Sequence, residues 1–120
     1  MTAIIETQLK GLRLLSRGKV RDIYEHGDNL LIVTTDRISA FDVVLPTAIP
    51  NKGRVLTQLS AFWFGLTQSI VENHMLTTDI GEMGLPSIVD TTDLEDRSML
   101  VKKASPLPVE CVARGYIIGS

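Results

Sequence analysis

The sequence predicts an α+β domain: a twisted, mostly antiparallel sheet with one long helix packed on it. Three observations lead there. Short apolar runs set off by turn residues read as strands near 12–16, 20–25 and 30–35, and again near 98–104 and 108–114. Between the two groups, Val55, Leu59, Phe62, Leu66 and Ile70 recur at helical spacing, with Leu56 and Trp63 alongside. The length, 120 residues, suits one domain with a core of its own.

The elements follow in order. Leu12–Ser16 leads into Gly18. From Val20 to Glu25 the side chains alternate, then "HGDN" (26–29) offers turn chemistry, because Gly27 tolerates positive φ and Asp28 and Asn29 can bond to local backbone. "LLIVTT" (30–35) completes a hairpin. Pro46 and Pro50 hold 36–53 in extended or turn structure. Asn51 is a candidate cap for a helix over about 53–71, which should meet the sheet through Leu59, Phe62 and Leu66. The acid-rich stretch 77–97 reads as a connection with room for one short strand. "SMLVKKA" and "PVECVAR", joined by "SPLP", read as the last two strands.

Bulk properties exclude several classes. A net charge of −2 carries no basic footprint for nucleic acid. The single cysteine, Cys111, rules out an intrachain disulfide and fits a reducing compartment; mid-strand, it reads as a small apolar group. "MTAIIETQLKGL" lacks the apolar core of a signal peptide, and no run approaches membrane-spanning length, so the expected location is cytoplasmic.

Several clusters could carry chemistry. Gly18, Lys19, Val20 and Arg21 combine a glycine with two cations at a hairpin entrance. They match neither the Walker A pattern nor G-x-G-x-x-G, yet such a turn can bring backbone and cations to a phosphate. The alternative is a solvated basic turn. "TTDRISAFD" (34–42) places acids, an arginine and hydroxyls directly after a strand, as a ligand loop or as a local Asp36–Arg37 turn. Phe62, Trp63 and Phe64 read as packing residues. His26 and His74 lack partners at metal-ligand spacing. Glu110, Val112 and Arg114 would share one strand face, as a surface pair or a ligand rim.

"RGKVRDIYE", "TTDRISAFD", "IPNKGRVLTQLSAFWF" and above all "LPVECVARGYIIGS" resemble, in that order, segments of the SAICAR synthetase family, the phosphoribosylaminoimidazole-succinocarboxamide synthases of purine biosynthesis. The resemblance implies a ligase that joins L-aspartate to carboxyaminoimidazole ribonucleotide (CAIR) using ATP and Mg2+. The carboxylate would be activated as an acyl phosphate and then attacked by the aspartate amine. It implies a fold whose first lobe covers ATP. Gly18, Lys19, Val20 and Arg21 match the loop over the nucleotide phosphates. Lys103, with Lys102 as the alternative, matches a nucleotide-contacting lysine. The segment from Leu107 through Val109 to Glu110 matches the stretch that meets adenine. Arg114 and Ser120 match residues that hold the imidazole nucleotide, and Ser39 and Asp42 fall near the same cleft. The family's acidic metal ligands should lie downstream of Ser120. Residues 1–120 are therefore expected to be an N-terminal nucleotide-binding lobe, truncated before the second lobe and inactive alone. The competing expectation is a non-catalytic nucleotide-binding or protein-interaction module.

Overall fold

The computed structural model describes residues 2–117; Ser120 lies outside them. Five strands form one antiparallel sheet: β1 (Arg13–Arg17), β2 (Arg21–His26), β3 (Asn29–Thr34), β6 (Met75–Thr77) and β7 (Ser98–Lys102), in the order β1-β2-β3-β7-β6. A small hairpin of β4 (Ser39–Ala40) and β5 (Val43–Val44) and the helix α1 (Lys52–Thr67) lie between β3 and β6. The α+β class and the first three strands agree with the sequence reading to within a residue or so.

Register fixes two faces. Pairing of Asp22 with Val33, Tyr24 with Leu31, and Leu31 with Leu100 puts these side chains on one side. There Tyr24, Leu31, Val33 and Leu100 pack with Met83, Val89 and Leu94 from the 78–97 connection. That acid-rich stretch is thus a lid on the core: Met83, Val89 and Leu94 turn inward and its acids turn out. On the opposite face Arg21 pairs with Thr34, Ile23 with Ile32, and Ile32 with Met99.

The helix covers only one end of this second face. It docks through Gly53 and Thr57, its buried residues, and Thr57 Oγ1 bonds Thr34 Oγ1 and the Arg97 carbonyl oxygen, each at 3.0 Å. The expected packing through Leu59, Phe62 and Leu66 is wrong: these side chains are more than half exposed. Periodicity locates an apolar stripe but not the surface that receives it. Here the backbones come so close that a small residue is needed; a Cβ on Gly53 would lie 2.1 Å from the Thr34 carbonyl oxygen. The helix also ends at Thr67, with 68–71 continuing as a turn. Asn51 precedes it in the left-handed region, φ 68°, without a side-chain cap.

The expected strand at 108–114 is absent. Residues 103–117 are irregular and exposed, and Cys111 is an exposed thiol instead of a buried strand residue. Pro106 and Pro108 remove two ladder donors, which disfavours pairing there. Among the described residues no helix is long and apolar enough to cross a membrane.

Gly53→Ala should destabilise the chain by about 1–3 kcal/mol or more through overpacking, whereas Leu59→Ala on the open stripe should stay within about 0.5 kcal/mol. Urea unfolding of the two variants checks the packing face. Equal losses would contradict it.

Candidate functional site

Two buried carboxylates organise the loops at one end of the sheet. Asp36 follows β3 and is fully buried. Its Oδ1 accepts from the Gly53 amide and from Arg97 Nη1, both at 2.8 Å. Its Oδ2 accepts from the Ile4 amide at 2.9 Å and from Arg97 Nη2 at 3.3 Å. Burial pushes this carboxyl up, but the bonds from Arg97, Ile4 and Gly53 and the Arg97 charge outweigh it and hold it below the ordinary aspartate value. The local Asp36–Arg37 pair is therefore not formed; Asp36 pairs with Arg97 across 61 positions of sequence.

Asp22, on β2, is the second buried carboxylate. Its Oδ2 accepts from the amide and hydroxyl of Thr7, each at 2.8 Å, and Thr7 Oγ1 lies 2.7 Å from the Tyr24 hydroxyl. Its Oδ1 faces Arg37 Nη2 at 3.0 Å and Arg17 Nε at 3.4 Å. Arg37 reaches on from there. Nη2 donates to the Gly18 carbonyl at 3.0 Å, Nε to the Lys19 carbonyl at 3.4 Å, and Nη1 to the Ile5 carbonyl at 2.8 Å. The next carbonyl, Val20, accepts from the Thr35 amide at 3.0 Å and from the Thr35 hydroxyl. The 35–37 segment thus holds three successive carbonyls of the 18–20 turn.

The turn presents an exposed cationic surface. Gly18 donates its amide to the Arg21 carbonyl at 2.8 Å. A Cβ there would meet nothing closer than 3.7 Å, so the fold itself does not require glycine. Lys19 pairs with Asp42, and both are exposed; hydrogen bonding and the charge of Lys19 lower the Asp42 carboxyl. Asp42 sits in the two-residue β4–β5 loop with Phe41, at φ 62° and 50°, the left-handed pair that such a hairpin needs. Two residues from separate motifs are thereby brought together. At the start of α1, burial lowers the Lys52 amine, the charges of Arg21 and Arg37 lower it further, and the Asp36 charge raises it. An open groove of about 270 Å³ continues from Arg21 along Ile32, Thr34, Ser60, Phe64 and Met99.

The remaining candidates are dispersed. Lys103 bonds Glu25 at 3.2 Å and so sits on the Arg21 side of the sheet, whereas Lys102 pairs with Asn29 in the register of the Leu100 face. Leu107, Val109, Glu110 and Arg114 lie in the exposed 103–117 segment, not on a strand beside the turn. Ser39 opens β4. Among the described residues no group of three or more His, Cys, Asp or Glu side chains is arranged to hold a metal. Arg37 entered the sequence reading only within the 34–42 cluster, and Asp22 and Lys52 had no role there; burial and contacts far apart in the chain distinguish them.

The sequence model described as SAICAR synthetase matches residues 14–120. Phosphoribosylaminoimidazole-succinocarboxamide synthase from Thermodesulfovibrio yellowstonii is 62% identical over 98% of the chain, and that from Geobacter sulfurreducens 57% over the same share. Each alignment covers 40% of the relative, so the chain spans well under half the length of these proteins. A solved SAICAR synthase superposes with a TM-score of 0.86 at 45% identity, over 98% of this chain and 42% of its own. SAICAR synthase from Saccharomyces cerevisiae, in complex with SAICAR, superposes with a TM-score of 0.74 at 45% identity, over 84% of this chain and 37% of its own.

Asp36→Asn should cost about 3–5 kcal/mol, because Arg97 is left buried without its counter-charge. The depressed Asp36 carboxyl contributes stability that is complete above its unfolded-state value and is lost as pH falls through the lower folded value. Melting temperature should therefore drop on acidification below about pH 4, and Asp36→Asn should flatten that acid limb. An unchanged acid limb in the variant would place the sensitivity elsewhere.

Proposed function

Because the chain belongs to the SAICAR synthetase family, we propose that it is the nucleotide-holding lobe of an enzyme that joins L-aspartate to CAIR as ATP is converted to ADP and phosphate. The observation that carries this reading is the cationic cluster around the Gly18 turn. Lys19 and Arg21 are exposed on either side of Val20, and Asp42 supplies the negative charge paired with Lys19. Exposed cations at the head of an open groove create a place where an anion lowers the energy. A glycine with free space above it lets a phosphate approach the backbone.

The parts then divide as follows. Gly18, Lys19, Val20 and Arg21 take the phosphates, with Lys19 exchanging Asp42 for the ligand. The half-buried Ile23 and Ile32 and the buried Met99 offer an apolar surface to adenine, with Lys103 at its edge. Leu107, Val109 and Glu110 close on the base from the 103–117 segment. Arg114, Ser39, Asp42 and Ser120 serve the imidazole nucleotide, the arginine by a charge-assisted bond to an anionic group. ATP supplies the phosphoryl group that activates a carboxylate; this lobe binds and orients it. The described residues do not fit a Mg2+ site: no three of their His, Cys, Asp or Glu side chains are arranged to hold a metal. The exposed free thiol of Cys111 supports a reducing, cytoplasmic setting.

The test uses a full-length polypeptide in which residues 1–120 are followed by the remaining part of the Thermodesulfovibrio yellowstonii relative. Lys19→Ala should weaken ATP binding by roughly 1.5–3 kcal/mol, about ten- to a hundredfold, with little loss of stability. Gly18→Ala should likewise keep its melting temperature and lose ATP affinity. Unchanged affinity in both variants would leave the turn a solvated hairpin entrance.

A further inference from the structure

We propose that Arg37, seated on the buried carboxylate of Asp22, is the positioning residue of the phosphate turn. This deepens the reading of Gly18–Lys19 as the phosphate site and rests on it. The argument is one of peptide geometry. In a trans peptide the carbonyl and the following amide point in opposite directions, and the described residues contain no cis bond. Arg37 draws the Gly18 and Lys19 carbonyls inward, at 3.0 and 3.4 Å. The amides of Lys19 and Val20 must therefore face away from the guanidinium, toward the outer side of the turn. Successive amides facing one side are an anion-binding arrangement.

The guanidinium itself is unable to drift. Its Nη2 forms an ion pair with Asp22 Oδ1 at 3.0 Å, and its Nη1 donates to the Ile5 carbonyl at 2.8 Å. Asp22 is in turn fixed by Thr7, and Thr7 by Tyr24 in the core. A chain of direct contacts thus runs from the core tyrosine to the carbonyls of the turn. Arg37 itself is 7% exposed, so its charge is consumed in holding protein atoms and is not offered to a ligand. Arginine suits the task because its planar fork serves a carboxylate and several carbonyls at once. A lysine in its place retains the charge on Asp22 but lacks the geometry to span both turn carbonyls.

The experiment compares Arg37→Lys, Arg37→Gln and Lys19→Ala in the full-length polypeptide described above. Melting temperature, affinity for ATP and for adenosine, and the KM values for ATP and aspartate are measured. Arg37→Lys should keep the fold and lose about tenfold in ATP affinity, with adenosine affinity and the aspartate KM unchanged. Arg37→Gln should lose at least as much for ATP. Equal losses for ATP and adenosine, or a fall in melting temperature with ATP affinity unchanged, would overturn the proposal by making Arg37 a purely structural residue. Lys19→Ala separates the two readings. If it weakens ATP binding while both Arg37 variants do not, the turn binds phosphate but Arg37 does not position it. If it has no effect on ATP, the phosphate assignment fails and the positioning role with it.

Discussion

The carboxylate of Asp36 is the joint on which this fold depends. Four donors from three distant segments converge on its two oxygens: the Ile4 amide, the Gly53 amide and both terminal nitrogens of Arg97. Without it, the start of α1, the approach to β7 and the N-terminal segment would have no shared anchor. A buried ion pair contributes little net stability compared with an apolar replacement, since desolvation offsets most of the attraction. Its value here is geometric. It selects one arrangement of three segments that apolar contacts alone would allow to slide.

Asp22 and Arg37 repeat the device one strand away, with a different output. Asp36 spends its partners on fold; Asp22 holds a guanidinium whose remaining donors reach the backbone of the Gly18 turn. The two pairs send Asp36 and Arg37 of "TTDRISAFD" to different parts of the fold. Asp36 and Arg37, neighbours in sequence, point to separate partners and serve separate ends. The exposed cations, Lys19 and Arg21, are then left to face outward on a support that is already neutralised beneath them.

The helix shows how packing demands can reverse an apolar pattern. Its contact with the sheet is made by Gly53 and Thr57, because close approach to the Thr34 carbonyl leaves no space for a larger side chain. Val55, Leu59, Phe62 and Leu66 are consequently turned away from the sheet and exposed. The second surface of the sheet stays partly open beside the helix, and this opening is what joins the Arg21 end to Ile32 and Met99 as a groove.

What the sequence determined by itself were the elements whose information is local. Alternation and turn residues placed β1, β2 and β3, the 3.6-residue period placed α1, and a glycine with two cations marked the turn; the quoted motifs then pointed to the family. Local patterns failed where a partner decides the outcome. The run at 108–114 has strand composition but pairs with no strand in the described residues, and the prolines before and within it remove donors. Tertiary structure alone decided which face of α1 meets the sheet, that Asp36 pairs with Arg97 and not with its neighbour, and that Arg37 stands beside Gly18. Each of these is a contact between residues far apart in the chain. Its energy depends on burial and distance, and neither quantity exists until the sheet has formed.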